Sequence, residues 1–155
     1  MKKNTIILAV LISIATTTKA QWVTLLSSPT TWDLYSVYFV DSNTGYAVGE
    51  SGTIIKTPNG GTNWTMQISG TTERLSSVCF TDPNTGYAVG VSGTILKTTN
   101  GGTNWIMQTS GTLYALSSVY FTGTDTGYIA GDNATKLKTI DGGTNWTPQQ
   151  IAMGE

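Results

Sequence analysis

The chain repeats itself every 41 residues. Asn-Thr-Gly-Tyr-Ala-Val-Gly stands at 43–49 and again at 84–90, with Asp-Thr-Gly-Tyr-Ile-Ala-Gly at 125–131. Gly-Gly-Thr-Asn-Trp ends at Trp64, Trp105 and Trp146, and Phe39, Phe80 and Phe121 keep the same spacing. A fixed period of this size means stacked supersecondary units, none of which can bury its own apolar face alone. Any fold for this chain has to place three near-identical units side by side.

The unit itself is all β. In the middle copy, Ser-Ser-Val-Cys-Phe (76–80) is a short β-rich run that ends at the turn cluster Asp82-Pro83-Asn84. Gly86 to Gly90 is a second run, closed by Ser92-Gly93; Thr94 to Thr98 is a third, closed by Asn100-Gly101-Gly102; Asn104 to Gln108 is a fourth. Four short strands with tight turns in 41 residues fit one propeller blade and leave no room for a helix. The competing architecture, a β-helix, normally uses shorter coils. The expectation is an all-β chain of three four-stranded antiparallel β-propeller blades, at 34–74, 75–115 and 116–155, making a partial propeller.

A different kind of segment precedes the repeats. Lys2 and Lys3 lead into an apolar stretch from Ile6 to Ala15 broken only by Ser13, and Thr18-Lys19-Ala20 offers a small residue for cleavage. That pattern describes a signal peptide over 1–20, and its form reads as bacterial. The stretch is too short for a span, which needs roughly 20 apolar residues. Cleavage after Ala20 leaves five basic and nine acidic residues, a net charge of −4. The expected product is secreted, periplasmic or on the cell surface, without membrane insertion after cleavage. No Cys sits at the cut site to carry a lipid.

Composition removes much chemistry. The sequence has no His, one Cys and one Arg, and only 11% of its residues are charged. There is then no His general base, no His metal site, no disulfide within the chain and no Arg cluster, and no metal or cofactor is expected. The acidic balance offers no footprint for nucleic acid.

The end of each repeat carries a family resemblance. Thr139, Asp141, Gly143 and Trp146 fit the Asp-box pattern, or BNR repeat, of sialidases and other propellers. Thr98, Asn100, Gly102 and Trp105, and likewise Thr57, Asn59, Gly61 and Trp64, fit it with Asn replacing Asp. Taken with Asn-Thr-Gly-Tyr-Ala-Val-Gly, the repeat resembles that of the photosystem II assembly and stability factor family, a seven-bladed propeller whose repeats also occur in secreted bacterial proteins. The resemblance covers residues 22–146 and implies a fold more than a function, because one propeller scaffold hosts many activities. In these families the box is structural and lies away from the active face. The residues say the same: Asp or Asn accepts backbone N–H groups, Gly supplies a positive φ, and Trp fills the gap between blades.

Antiparallel connectivity separates two ends of each blade. The first and third turns, at one end, barely differ between copies. The inter-blade links (31–33, 72–74, 113–115) and the second turns (50–51, 91–92, 132–134) lie at the other end and differ. If a binding face exists, its candidates are Trp32, Asp33, Glu50, Glu73, Arg74, Tyr114 and Asp132. Cys79 replaces Tyr38 and Tyr120 within a strand and reads as a buried, inert thiol. The glycosylation sequons at Asn63, Asn133 and Asn145 are discounted, since two fall in Asp-box hairpins and the leader reads as bacterial. Lys136 replaces Ile54 and Ile95, and Ala134 replaces Gly52 and Gly93, which suggests a less buried face on the third blade, as expected of a terminal repeat.

Three blades fall short of the four to eight that close a propeller. Gln21 to Leu25 aligns with a fourth strand, with Trp22 in the Asp-box Trp place, so that 21–33 reads as an outer strand and link. The favoured reading is a fragment of a longer secreted propeller; a homo-oligomer, two copies making six blades, is the other. The favoured function is a non-catalytic module for binding or assembly with a protein or a glycan, Trp32 and Tyr114 acting as stacking platforms. The alternative is a glycoside hydrolase fragment drawing on Asp33, Glu50, Glu73 or Asp132, although nothing in their spacing favours a pair. Sialidase action, which uses an arginine triad, does not fit a chain whose one arginine is Arg74. A photosystem role itself is disfavoured, because that family would be expected to carry a basic docking patch.

Overall fold

The computed structural model describes residues 29–149. The leader at 1–20 and the strand expected at Gln21–Leu25 lie outside the described residues. Twelve strands form three antiparallel sheets of four among the described residues. The first sheet runs β1 (Leu34–Phe39), β2 (Gly45–Gly49), β3 (Ile54–Thr57) and β4 (Thr65–Gln67) in sequence order. The second holds β5 (Leu75–Phe80), β6 (Gly86–Gly90), β7 (Ile95–Thr98) and β8 (Ile106–Gln108). The third holds β9 (Leu116–Phe121), β10 (Gly127–Gly131), β11 (Lys136–Thr139) and β12 (Thr147–Pro148). Each repeat is thus one up-and-down meander, the form of a propeller blade. Among the described residues no helix is long and apolar enough to cross a membrane.

The blades pack face to face, with β1 and β2 against β5, and β5 and β6 against β9. Period-two alternation decides which side chain faces which neighbour. In the middle blade Val78, Phe80, Ala88 and Leu96 join Tyr46, Val48 and Ile54 of the first blade. The alternate residues Cys79, Tyr87, Val89 and Ile95 join Leu116, Val119, Ile129 and Leu137 of the third. Leu75 breaks the alternation yet faces the first blade. The reason is a register shift between Leu75 and Ser77, which inserts one extra residue into β5. Buried on both faces, β6 reads as an unbroken apolar run rather than an alternating one.

Cys79 is buried in this second interface, and burial pushes its thiol up to about 12, far from thiolate chemistry at neutral pH. The two outer faces of the stack differ from the inner ones. Val37 is 61% exposed where its counterparts Val78 and Val119 are at 4% and 5%, and Tyr120 is 65% exposed on the far side of the third blade.

Candidate functional site

Each Asp-box hairpin is held by its own side chains. The Thr57 hydroxyl donates to Asn59 Oδ1 (3.1 Å) and accepts the Gly61 amide (2.9 Å), while Asn59 Oδ1 also accepts the Asn63 amide (2.8 Å). Thr98 and Asn100 do the same for Gly102 and Asn104. In the third blade Asp141 accepts the Thr139 hydroxyl at 2.8 Å and both the backbone amide and the side-chain amide of Asn145, at 2.9 and 2.7 Å. From the hairpin the indole swings inward: Trp105 meets Phe80 edge-on at 6.0 Å and Trp146 meets Phe121 at 5.9 Å. Trp64 meets Phe39 of its own blade at 6.2 Å and stays half-buried, with no earlier blade among the described residues.

The charge on Asp141 makes its hairpin the one Asp box that can titrate. The Asn145 backbone and side-chain donors, with the Thr139 hydroxyl, lower its carboxyl from 3.8 to about 2. A depressed folded pKa contributes stability above pH 3.8 that is lost as the pH falls through about 2. An amide-resolved NMR titration should therefore show Asn145 shifting with a midpoint near pH 2, while Asn63 and Asn104, capped by neutral amides, do not follow that transition.

Backbone bonds fix the two ends of every blade. At the box end the third turn ties to the first: the Gly60, Gly101 and Gly142 amides donate to the carbonyls of Asn43, Asn84 and Asp125. At the opposite end each second turn ties to the link entering its own blade. Glu50 donates to the Asp33 carbonyl (2.9 Å), Val91 to that of Arg74 (3.0 Å) and Asp132 to that of Ala115 (2.8 Å). These bonds make three equivalent ledges in a row. In the first two, the second turn is a single 3-10 turn with Ser51 and Ser92 in the left-handed region, φ 53° and 56°.

The varied residues fall on these ledges. Asp33 and Glu50 share the first, Arg74 enters the second with Glu73 before it, and Asp132 stands on the third beside the link carrying Tyr114. Trp32 and Tyr114 are about half exposed, their amides anchored on the hydroxyls of Thr30 and Thr112. Glu73 accepts the Ser92 hydroxyl at 3.1 Å, which bridges the second link to the turn beside it. The four carboxylates are thus spread over three ledges. Among the described residues no group of three or more His, Cys, Asp or Glu side chains is placed to hold a metal.

Two features escaped the sequence reading. The Tyr35 hydroxyl donates to Glu50 Oε1 at 2.7 Å, and the Arg74 guanidinium lies 5.5 Å from the Tyr35 ring centroid, so one cluster joins the first ledge to the second. The bond to Glu50, with the negative charges of Glu50 and Asp33 nearby, raises the Tyr35 phenol above its usual value. The missed signal was a departure from the repeat, since the equivalents of Tyr35 are Ser76 and Ser117. The second feature is a repeated lysine. Lys56 Nζ and Tyr46 Oη both donate to the Gly101 carbonyl (2.8 and 2.9 Å), and Lys97 and Tyr87 both donate to Gly142 (2.6 Å each). The recurrence of Lys56, Lys97 and Lys138 at 41-residue steps was the signal.

A family profile described as Photosynthesis system II assembly factor YCF48 matches residues 14–106 and 65–155. A search of curated proteins returned no match. Among solved structures, one titled "YCF48 bound to D1 peptide" superposes with a TM-score of 0.69 at 26% identity, covering 77% of this chain and 42% of that one. YCF48 from Cyanidioschyzon merolae gives 0.69 at 23% identity, covering 79% of this chain and 41% of that one. A GH74 enzyme of Niastella koreensis gives 0.56 at 23% identity, with 76% and 22% covered, a likeness of fold alone. The chain spans about two fifths of the length of the two YCF48 structures.

Proposed function

The chain belongs to the photosystem II assembly factor YCF48 family, and on that premise we propose that it is an exported, non-catalytic propeller module that holds a segment of a partner protein across its ledges. The observation that carries this reading is the gathering of the varied links and second turns at one end of the blades. Links and second turns that vary from copy to copy are individual where a ligand would touch them. Trp32 and Tyr114 serve as aromatic anchors, and the Tyr35–Glu50–Arg74 cluster offers a guanidinium beside a carboxylate for a main chain or a charged side chain. Support comes from the similar YCF48 structure whose title names a bound D1 peptide.

The partner's chemistry follows from charge. Asp33, Glu50, Glu73 and Asp132 set four carboxylates against the one guanidinium of Arg74, so the face selects a segment rich in Lys or Arg with an apolar or aromatic side chain for Trp32. The non-catalytic part rests on composition: the chain has no His, and its one thiol is buried. Export rests on Lys2, Lys3 and the apolar stretch from Ile6 to Ala15.

The test is selection of random peptides on immobilised protein, followed by fluorescence titration and run beside a polysaccharide hydrolysis panel. Basic, aromatic-containing peptides should be enriched. They should lose about 30-fold in affinity on Trp32→Ala, the effect of removing an interface hot spot of about 2 kcal/mol. Equal binding by Trp32→Ala, or hydrolysis abolished by Asp33→Ala or Glu73→Ala, would contradict the reading.

A further inference from the structure

We propose that two hollows flanking Glu73 at the ledge end take up an extended segment of a partner protein in which one Lys or Arg stands between two aliphatic side chains. This rests on reading that end of the blades as a binding face, and it lays the segment along the edge strands β4 and β8. The first hollow, of about 610 Å³, opens between the second turn of the first blade and the chain leaving β4. The second, of about 590 Å³, repeats it between the second turn of the middle blade and the chain leaving β8. They meet at Glu73, which lines both and is, among the described residues, the only charged side chain lining either.

The same joints build both hollows. The Ser69 hydroxyl donates to the Thr71 carbonyl at 3.1 Å, and that of Ser110 to the Thr112 carbonyl at 3.0 Å, which folds the chain after each edge strand into one tight turn. The second turn is pressed against it. A Cβ on Gly52 would fall 2.0 Å from the Thr71 carbonyl oxygen, and one on Gly93 2.0 Å from that of Thr112. Main chain packed on main chain holds these walls, so a ligand meets a shape set in advance.

The apolar lining is kept although its source changes. Met66 and Met107 hold the same place in the two copies, and methionine adapts its shape to what it meets. Beside Met66 stands Ile68, with Thr72 past the turn; beside Met107 stands Thr109, with Leu113 past the turn. Each hollow thus has a methionine and one branched aliphatic residue, Ile68 at 85% exposure or Leu113 at 87%, taken from different positions of the repeat. Met107 is 57% exposed although its blade has a neighbour on either side, so its exposure belongs to the rim and not to an end of the stack. Exposed apolar surface that continues across two blades marks a contact for another molecule. In the third blade Pro148 holds the methionine place, and proline is a residue that guards an edge strand.

Charge names the middle residue of the segment. The Glu73 carboxylate accepts one hydrogen bond, from the Ser92 hydroxyl to Oε2 at 3.1 Å, and has no ion pair among the described residues. A carboxylate between two apolar hollows selects an ammonium or guanidinium between two aliphatic groups. A segment lying along edge strands is extended, so alternate side chains face the protein and three contacts need at least about five residues.

The test is titration, by fluorescence anisotropy, of the full chain against capped, dye-labelled peptides holding Leu, Lys and Leu in that order, with one to three serines between neighbours. One spacing is expected to bind about tenfold more tightly than the same peptide with Glu for Lys, or with Ser for both Leu. Glu73→Gln is expected to lose the preference for Lys and keep that for Leu, and Leu113→Ser to do the reverse, a split that general damage to the fold does not produce. Leu113 is almost wholly exposed, so its replacement should leave the fold intact, which circular dichroism checks. Two results would overturn the proposal: no spacing with these preferences, or a variant that keeps both. Random peptides selected on the protein and weakened by Trp32→Ala would in that case leave the ledge reading standing, and their absence would remove both.

Discussion

Trp105→Ala is expected to lower the stability of the protein by about 3–5 kcal/mol, the usual cost of emptying a large aromatic site in a core. Trp105 is 7% exposed and stands edge-on to Phe80, which in turn lies flat on Tyr46, so the three rings form one stack across the first interface. Alanine leaves a void that neither sheet can close, because each is held by its own ladder. The size of the effect is set against one opposing contribution. The indole N–H of Trp105 is buried without a hydrogen-bond partner among the described residues, as is that of Trp146, and such a donor costs about 1–3 kcal/mol. Trp105→Phe should therefore cost clearly less than Trp105→Ala. Trp64→Ala, at the half-open first face, should also cost less. Urea denaturation followed by circular dichroism measures all three, and a Trp105→Ala midpoint equal to the parent's would contradict the packing described.

Gly90→Ala is expected to be more severe still. A Cβ built at Gly90 falls 1.9 Å from the Arg74 carbonyl oxygen, the acceptor of the Val91 amide that forms the second ledge. The backbone there is extended, at φ −164°, so the obstacle is contact with main chain and not the dihedral. A flexible side chain could move aside; a carbonyl in a hydrogen bond cannot. A loss above about 4 kcal/mol is the expectation, with insoluble expression as its practical sign. Gly123→Ala is the control, with nothing within 4 Å of its Cβ and no positive φ, and should change stability by less than about 0.5 kcal/mol. Soluble, parent-like Gly90→Ala protein would show that link and second turn do not meet as described.

The fold was legible because repetition multiplies weak signals. A single Gly-Tyr-Ala-Val-Gly is an ambiguous apolar run, but three at fixed spacing, each bracketed by turn residues, leave one architecture. The four-stranded form followed from turn chemistry at Asp82, Ser92 and Asn100, and the structure has strands on either side of each. The bulge at Leu75–Ser77 was not legible, because an extra residue in a short strand has no composition of its own. For the candidate face, antiparallel connectivity already separated the varied turns from the uniform ones, and the ledge bonds join the same links and second turns. Tyr35 was missed because it sits inside a strand, where side chains are assumed to serve packing, while its hydroxyl reaches out to Glu50. The lysines were missed for a related reason. A charge in a strand reads as solvated, whereas Lys56 and Lys97 lay their stems along tyrosine rings and spend their charge on a carbonyl of the next blade.

Each repeat leans on the next through a tyrosine of one and a phenylalanine of the other. Nuclear Overhauser contacts between aromatic rings read this directly. Cross-peaks linking the Tyr46 ring to Phe80, and the Tyr87 ring to Phe121, are the result the blade stack requires, with centroids 4.0 and 4.1 Å apart. Contacts between like positions instead, Tyr46 with Tyr87 and Phe80 with Phe121, would mean coils stacked in register as in a β-helix, and would contradict it.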